Sequence, residues 1–322
     1  MPSEVLGNTS GNCGRLLWLD IAKGVAIFAV VLGHTYSFGN PIHAFTYSFH
    51  IPLFFLLAGV TFKIKPFKTV LSGSAKRLLL PYVLLCLYSG VVLVVSGGPT
   101  LDALKLFTLT ALFAAGGTVE SLGVPGVGLA WFLMALFVAR LVLWVTLRLI
   151  GSHGSKCVLS VLILFFMACL AAYVSAFSLL PFAFLQGVVG AFFASVGYAV
   201  RETRFIDFLT KWYSVLLAAI VWMSLLLCGV FFSIGNMFFI SPFFVGVLMS
   251  LTASVVMVKI CMLIEKCDLL SRALCLSGSI PCFCSVCTNL SFHLLIGHRW
   301  ASQPLGLFRQ CLWQAPCTYF CV

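Results

Sequence analysis

Long apolar runs, nearly free of charge, leave this chain few ways to fold. Eight of them cover about residues 16–36, 45–62, 78–95, 129–150, 158–177, 180–200, 213–232 and 238–263. A run of about 20 apolar residues is what one helix needs to cross the hydrocarbon of a bilayer. Hydrophobic residues make up 62% of the chain and charged ones only 8%, where a soluble domain has about 25% charged residues. One globular core cannot bury that excess. The sequence therefore predicts an all-α, polytopic transmembrane helix bundle of about 8–10 spans.

The net charge is +11, but it does not point to nucleic acid. The basic residues cluster at helix ends, where they set topology and meet anionic membrane lipid. The loop 63–77 carries Lys63, Lys65, Lys68, Lys76 and Arg77 and no acid. Such loops are retained inside, so the N-terminus is expected in the cytoplasm and the first span runs outward. The apolar piece 103–115 falls short of a span and is expected as an interfacial or re-entrant helix on the outer side. With that piece not crossing, Arg148, Lys156, Arg201, Arg204, Lys211, Lys259, Lys266 and Arg272 all fall on the same side as the first basic loop.

Three regions result: a polar cytoplasmic arm over 1–14, a membrane domain over 15–272, and an atypical cysteine-rich tail over 273–322. The tail reads as a divergent or frame-shifted end of the same domain, with a weak ninth span at 273–296. It holds seven of the chain's 14 cysteines. The others are scattered on apolar segments, where free cysteine behaves as a small hydrophobe. No cleavable signal peptide is evident. The sequon Asn8-Thr9-Ser10 is discounted because the arm is expected inside.

The first two runs carry the chemistry. Asp20, Lys23 and His34 lie on the first, and His50 opens the second after a short loop. At 100° per residue, Lys23 and His34 point within about 20° of each other, and Asp20 falls within about 60° of both. An acid, a base and an imidazole thus share a stripe of a greasy helix. Ionisable groups in a membrane helix face a bundle interior or a wet cavity. The plainer alternative puts Asp20 and Lys23 at the lipid headgroups, a place that His34 lies too far along the helix to share.

Several stretches together resemble the membrane acyltransferase 3 family, the fucose 4-O-acetylase-like O-acetyltransferases. They are Asp20; Lys23 with ten residues before His34; Phe49-His50-Ile51-Pro52-Leu53-Phe54-Phe55 with Gly59; Arg77-Leu78-Leu79-Leu80-Pro81-Tyr82; and Trp131-Phe132-Leu133. Many members carry Arg where Lys23 stands, and Ala58 replaces a usual Ser. The tail departs furthest, because the family adds further hydrophobic helices beyond the position of Arg272.

The resemblance implies transfer of an acyl group, most often acetyl, from acetyl-CoA to a hydroxyl of a carbohydrate or glycolipid acceptor in a bacterial inner membrane. Such a reaction needs a base, an oxyanion stabiliser and a hold on the anionic donor. His34 is the candidate base, and His50 would orient the acceptor or assist proton transfer. Lys23 would pair with Asp20 or contact the donor's phosphates, and Arg77 is a second candidate phosphate contact. Trp131 is a candidate acceptor contact, its plainer reading being an interface anchor. No metal is expected: the spacing of Cys284, Cys287, His293 and His298 is far too short for a zinc finger. No phosphate loop, Ser–His–Asp order or HExxH motif appears, so direct transfer is simpler than a serine intermediate. The rival class is a transporter in which Asp20, Lys23 and His34 relay protons; an inactive relative is the third reading. Acceptor identity, acyl chain and oligomeric state are not written in the sequence.

Overall fold

In the computed structural model, residues 17–36, 38–97, 100–117, 123–124 and 126–266 are described. The arm over 1–14 and the cysteine-rich tail, with its ninth span and its Cys/His cluster, lie outside the described residues. Helix α1, Leu17–Thr35, runs from an end carrying Asp20 to an end carrying His34. The chain returns through α2, Pro41–Tyr47, and α3, His50–Val60. The second half of the loop expected between the first two spans is thus helix. Asn40 accepts a hydrogen bond from the Ile42 N–H at 2.8 Å, and Pro41 sits in the first turn. Both are helix-start devices. Pro52 explains the break at residues 48 and 49, because proline has no N–H to offer the carbonyl four residues back.

The next element also differs from expectation. Part of the basic loop 63–77 is helical: α4 spans Phe67–Ser74, a π segment follows at Ala75–Leu79, and α5 continues over Leu80–Gly97. Lys63 and Lys65 lie in the break between α3 and α4, while Lys68, Lys76 and Arg77 sit on helix. The short apolar piece becomes α6, Leu101–Phe113, too short to span and laid back on α5, where Tyr82 Oη donates to the Ala111 carbonyl at 2.5 Å. Its last carbonyls, on Leu112 and Phe113, are met by the N–H groups of Phe182 and Ala183 at 2.8 and 2.9 Å. Both donors hold positive φ, 62° and 48°. That left-handed backbone is uncommon outside glycine, and here it turns two donors onto a helix end that would otherwise lack partners.

The remaining helices are α7 (Trp131–Ile150), α8 (Ser155–Ser175), α9 (Phe184–Glu202), a short α10 (Ile206–Leu209), α11 (Trp212–Leu227) and α12 (Phe243–Ile264). Among the described residues, seven helices are long and apolar enough to cross a membrane, and α11 is a shorter apolar helix. Between α11 and α12 a two-stranded antiparallel hairpin, β1 (Phe232–Ser233) and β2 (Phe238–Phe239), pairs Phe232 with Phe239 and Ser233 with Phe238.

Helix α9 is the axis of the bundle, packed by α3, α7 and α8. Its small residues make this possible, since membrane helices associate through close backbone approach. A Cβ on Gly197 would run into the Leu56 carbonyl, and one on Gly59 into the Ala194 carbonyl. At the Asp20 end, Arg201 donates to the carbonyls of Val60 and Phe62 at 2.8 and 2.6 Å, which closes the end of α3. Just past α12, burial pushes the Glu265 carboxyl above the ordinary carboxylate range, against a backbone hydrogen bond from Trp18 that lowers it. That contact joins the end of α12 to α1.

Candidate active site

The break between α2 and α3 creates the site. Because the helix stops at Tyr47 and restarts at His50, both side chains turn toward the His34 end of α1. Gly33 lets them close in: a Cβ there would lie 2.8 Å from Thr46 Oγ1 and 3.2 Å from the Tyr47 ring. Trp222 on α11 pins the break by donating its indole N–H to Ser48 Oγ at 3.0 Å.

Tyr47 is the hub. His43 stacks on its ring with centroids 4.0 Å apart, His50 meets it edge-on at 4.9 Å, and His34 meets it edge-on at 6.1 Å. Phe231, entering the hairpin, stacks on His43 at 5.6 Å and on Tyr47 at 5.7 Å. His34, His43 and His50 lie within electrostatic reach of one another. Their exposures differ. His50 is 2% exposed and His43 8%, while His34 is open to the surroundings.

The hydrogen bond of His50 fixes its chemistry. Its Nδ1 lies 2.6 Å from the Thr46 carbonyl oxygen. A carbonyl only accepts, so Nδ1 carries the proton and Nε2 of the neutral ring keeps its lone pair. The buried His43 Nδ1 has no hydrogen-bond partner among the described residues.

Beside the cluster lies a cavity of about 320 Å³ lined by Phe38, His43, Tyr47, Phe231, Asn236 and Phe238. Aromatic walls with a few polar groups are characteristic of small-molecule sites. Its far wall is the hairpin. Trp131 is buried beneath that wall, its indole set against Gly235, whose added Cβ would lie 2.9 Å from the ring. Gln186 of α9 donates to the Gly235 carbonyl at 3.4 Å. Trp131 thus supports the hairpin and is not among the cavity-lining residues.

The polar stripe of α1 separates into two places. Lys23 pairs with the buried Asp20 at 3.1 Å, and about 16 Å of helix parts Lys23 from His34. The structure brings His34 and His50 together around Tyr47 and leaves Asp20 and Lys23 at the other end. Arg77 lies elsewhere again, exposed on the π segment that packs on α7.

Sequence reasoning missed His43 and Tyr47. The available signal was Asn40-Pro41, a helix start that carries both residues on α2. It also missed Arg140, an arginine midway along a span.

A family model described as an acyltransferase domain, that of the acyltransferase 3 family, matches residues 16–275. No curated protein and no solved structure matches the chain.

Proposed function

Given that this chain belongs to the acyltransferase 3 family, we propose that it is a membrane O-acyltransferase moving an acetyl group from acetyl-CoA to a hydroxyl of a carbohydrate or glycolipid. The observation that carries this reading is the set of imidazoles gathered on Tyr47 at the rim of an aromatic cavity. An acceptor seated against Tyr47 and Phe231 would present its hydroxyl to His34, the accessible imidazole of the set. His34 takes the hydroxyl proton. The alkoxide oxygen attacks the thioester carbonyl, the new C–O bond forms, and the C–S bond breaks. The proton held by His34 then goes to the departing thiolate. His50 is a positioning residue: its locked tautomer presents Nε2 as an acceptor within the cluster.

The donor's anionic end belongs at the other end of α1, with Lys23 beside Asp20. A pantetheine arm, an extended chain with two amide links, spans a gap of the order of that between Lys23 and His34. The basic groups gather at the Asp20 end, so the positive-inside rule puts that end, and the N-terminus, in the cytoplasm of a bacterial inner membrane. Donor and acceptor would then approach from opposite faces. A proton relay along α1 is less well supported, because residues 24–33 between Lys23 and His34 carry no polar side chain.

The test is His34→Ala in full-length protein, with envelope glycans read by mass spectrometry. General-base loss should cut acetylated product by about 10²–10⁴-fold while membrane insertion stays normal. Unchanged product would refute the assignment, and lost uptake of a solute with unchanged product would favour a transporter. Labelled acetyl-CoA offered to inside-out vesicles tests sidedness; a requirement for donor at the opposite face excludes the proposed route.

A further inference from the structure

His43 is the imidazole of the cluster that lines the cavity, and the reaction sketched above gives it no task. Aromatic rings hold it in place. Tyr47 stacks on it at 4.0 Å, Phe231 stacks at 5.6 Å, and Phe38 meets it edge-on at 6.0 Å. Among the described residues only Nδ1 of this ring is both shut away and without a hydrogen-bond partner. Proteins shut away an orphaned N–H more rarely than an orphaned acceptor. The proton of the neutral ring therefore belongs on Nε2. That is the tautomer opposite to His50, whose Nδ1 proton goes to the Thr46 carbonyl. His50 offers its neighbours an acceptor; His43 offers the cavity a donor.

The cavity of about 320 Å³ is at the small end for a ligand site, with room for one ring rather than a long chain. Its walls are the rings of Phe38, Tyr47, Phe231 and Phe238, and its polar groups are His43 from α2 and Asn236 from the hairpin. A pyranose ring matches that lining: its C–H faces meet aromatic walls, and its hydroxyls meet the polar groups. A plain aliphatic alcohol would leave the His43 N–H unpaired, a loss of about tenfold or more. A donor aimed at the reacting oxygen would blunt its attack, so the contact belongs on another hydroxyl of the same ring.

We propose that His43 is a specificity-determining residue: its Nε2–H donates to a hydroxyl oxygen of a single pyranose ring seated in this cavity, a hydroxyl other than the one His34 activates. That the ring is the acceptor rests on the transfer reading above; the contact itself does not.

The experiment uses full-length protein in nanodiscs, acetyl-CoA, and methyl pyranosides with their single-deoxy analogues as probes. For the pyranoside that wild type uses best, His43→Phe should raise KM about tenfold and leave kcat within about twofold, as loss of uniform binding does. One deoxy analogue should be used about tenfold less well than its parent by wild type. His43→Phe should use that analogue and its parent alike, because both changes remove the same hydrogen bond. A merely structural part for His43 would weaken parent and analogue equally. His43→Phe keeps an aromatic ring in the stack and removes the unpartnered nitrogen, so it should melt no lower than wild type. His43→Gln brings an amide N–H near the Nε2 position and should recover most of the discrimination. His43→Asn, whose amide reaches only the Nδ1 position, should not, and this pair keeps the test decisive if His43→Phe fails to fold. Melting shifts with the same pyranosides read binding without turnover. His43-dependent stabilisation by a pyranoside, in a protein that transfers no acetyl group, would support the contact and count against the transfer reading. If no pyranoside is acetylated by wild type or stabilises it, the contact is refuted. It is also refuted if folded His43→Phe protein discriminates among the deoxy analogues as wild type does, even in a protein shown to transfer acetyl groups.

Discussion

A single hydrogen bond separates two roles for His50. Its Nδ1 proton is committed to the Thr46 carbonyl, so the ring both ties α3 to α2 and offers Nε2 to its neighbours. His50→Asn keeps a donor at the Nδ1 position and removes Nε2; His50→Ala removes both. The expected outcome is a His50→Asn protein that melts near wild type yet turns over at least about 10²-fold more slowly, with His50→Ala losing stability as well. Fluorimetric melting and mass spectrometry of product read the two effects. Recovery of full turnover by Asn would leave His50 with a structural part only. His34 and His50 were legible because imidazoles are rare on apolar runs. His43 was not, since it falls in the stretch 37–44, which reads as loop until Asn40 and Pro41 are recognised as a helix start; Tyr47 was not, since it lies inside the run 45–62 with no charge to single it out. The separation of Asp20 and Lys23 from His34 follows from axial rise: a shared face says nothing about distance along the helix.

Between helices, the contacts that decide the site are made by residues with almost nothing to contribute except absence of bulk. Gly197 on α9 and Gly59 on α3 each sit against a backbone carbonyl of the other helix. Gly197→Ala must push α3 away from α9, and with it the His50 end of α3. Overpacking of this kind costs about 1–3 kcal/mol, so the variant should melt lower and lose activity together. Gly73, on α4, has open space where a Cβ would go. Gly73→Ala should be neutral or slightly stabilising, as Ala favours helix by about 1 kcal/mol over Gly. Equal effects of the two substitutions would mean that α9 does not depend on close approach. Hydropathy found the spans but misplaced the start of the third, because Lys63, Lys65, Lys68, Lys76 and Arg77 suppress the apolar average over a segment that is helical from Phe67. Backbone geometry such as the π segment has no hydropathy signature at all.

At the scale of the molecule, the helix count and the charge distribution constrain each other. With α6 folded back on α5, every long helix alternates direction, and the loops bearing Lys65, His153, Arg204 and Lys266 gather at the Asp20 end, while Ser178 and Asn236 lie at the His34 end. If α6 crossed the membrane, each later loop would change side, and the basic groups would be divided between two compartments against the positive-inside bias. All six positions are exposed, so single cysteines placed there in a cysteine-blocked background can report sidedness with a membrane-impermeant maleimide. Cysteines at 65, 153, 204 and 266 should label from one face, and those at 178 and 236 from the other. Labelling of 65 from the face opposite 204 would show that the segment around α6 crosses.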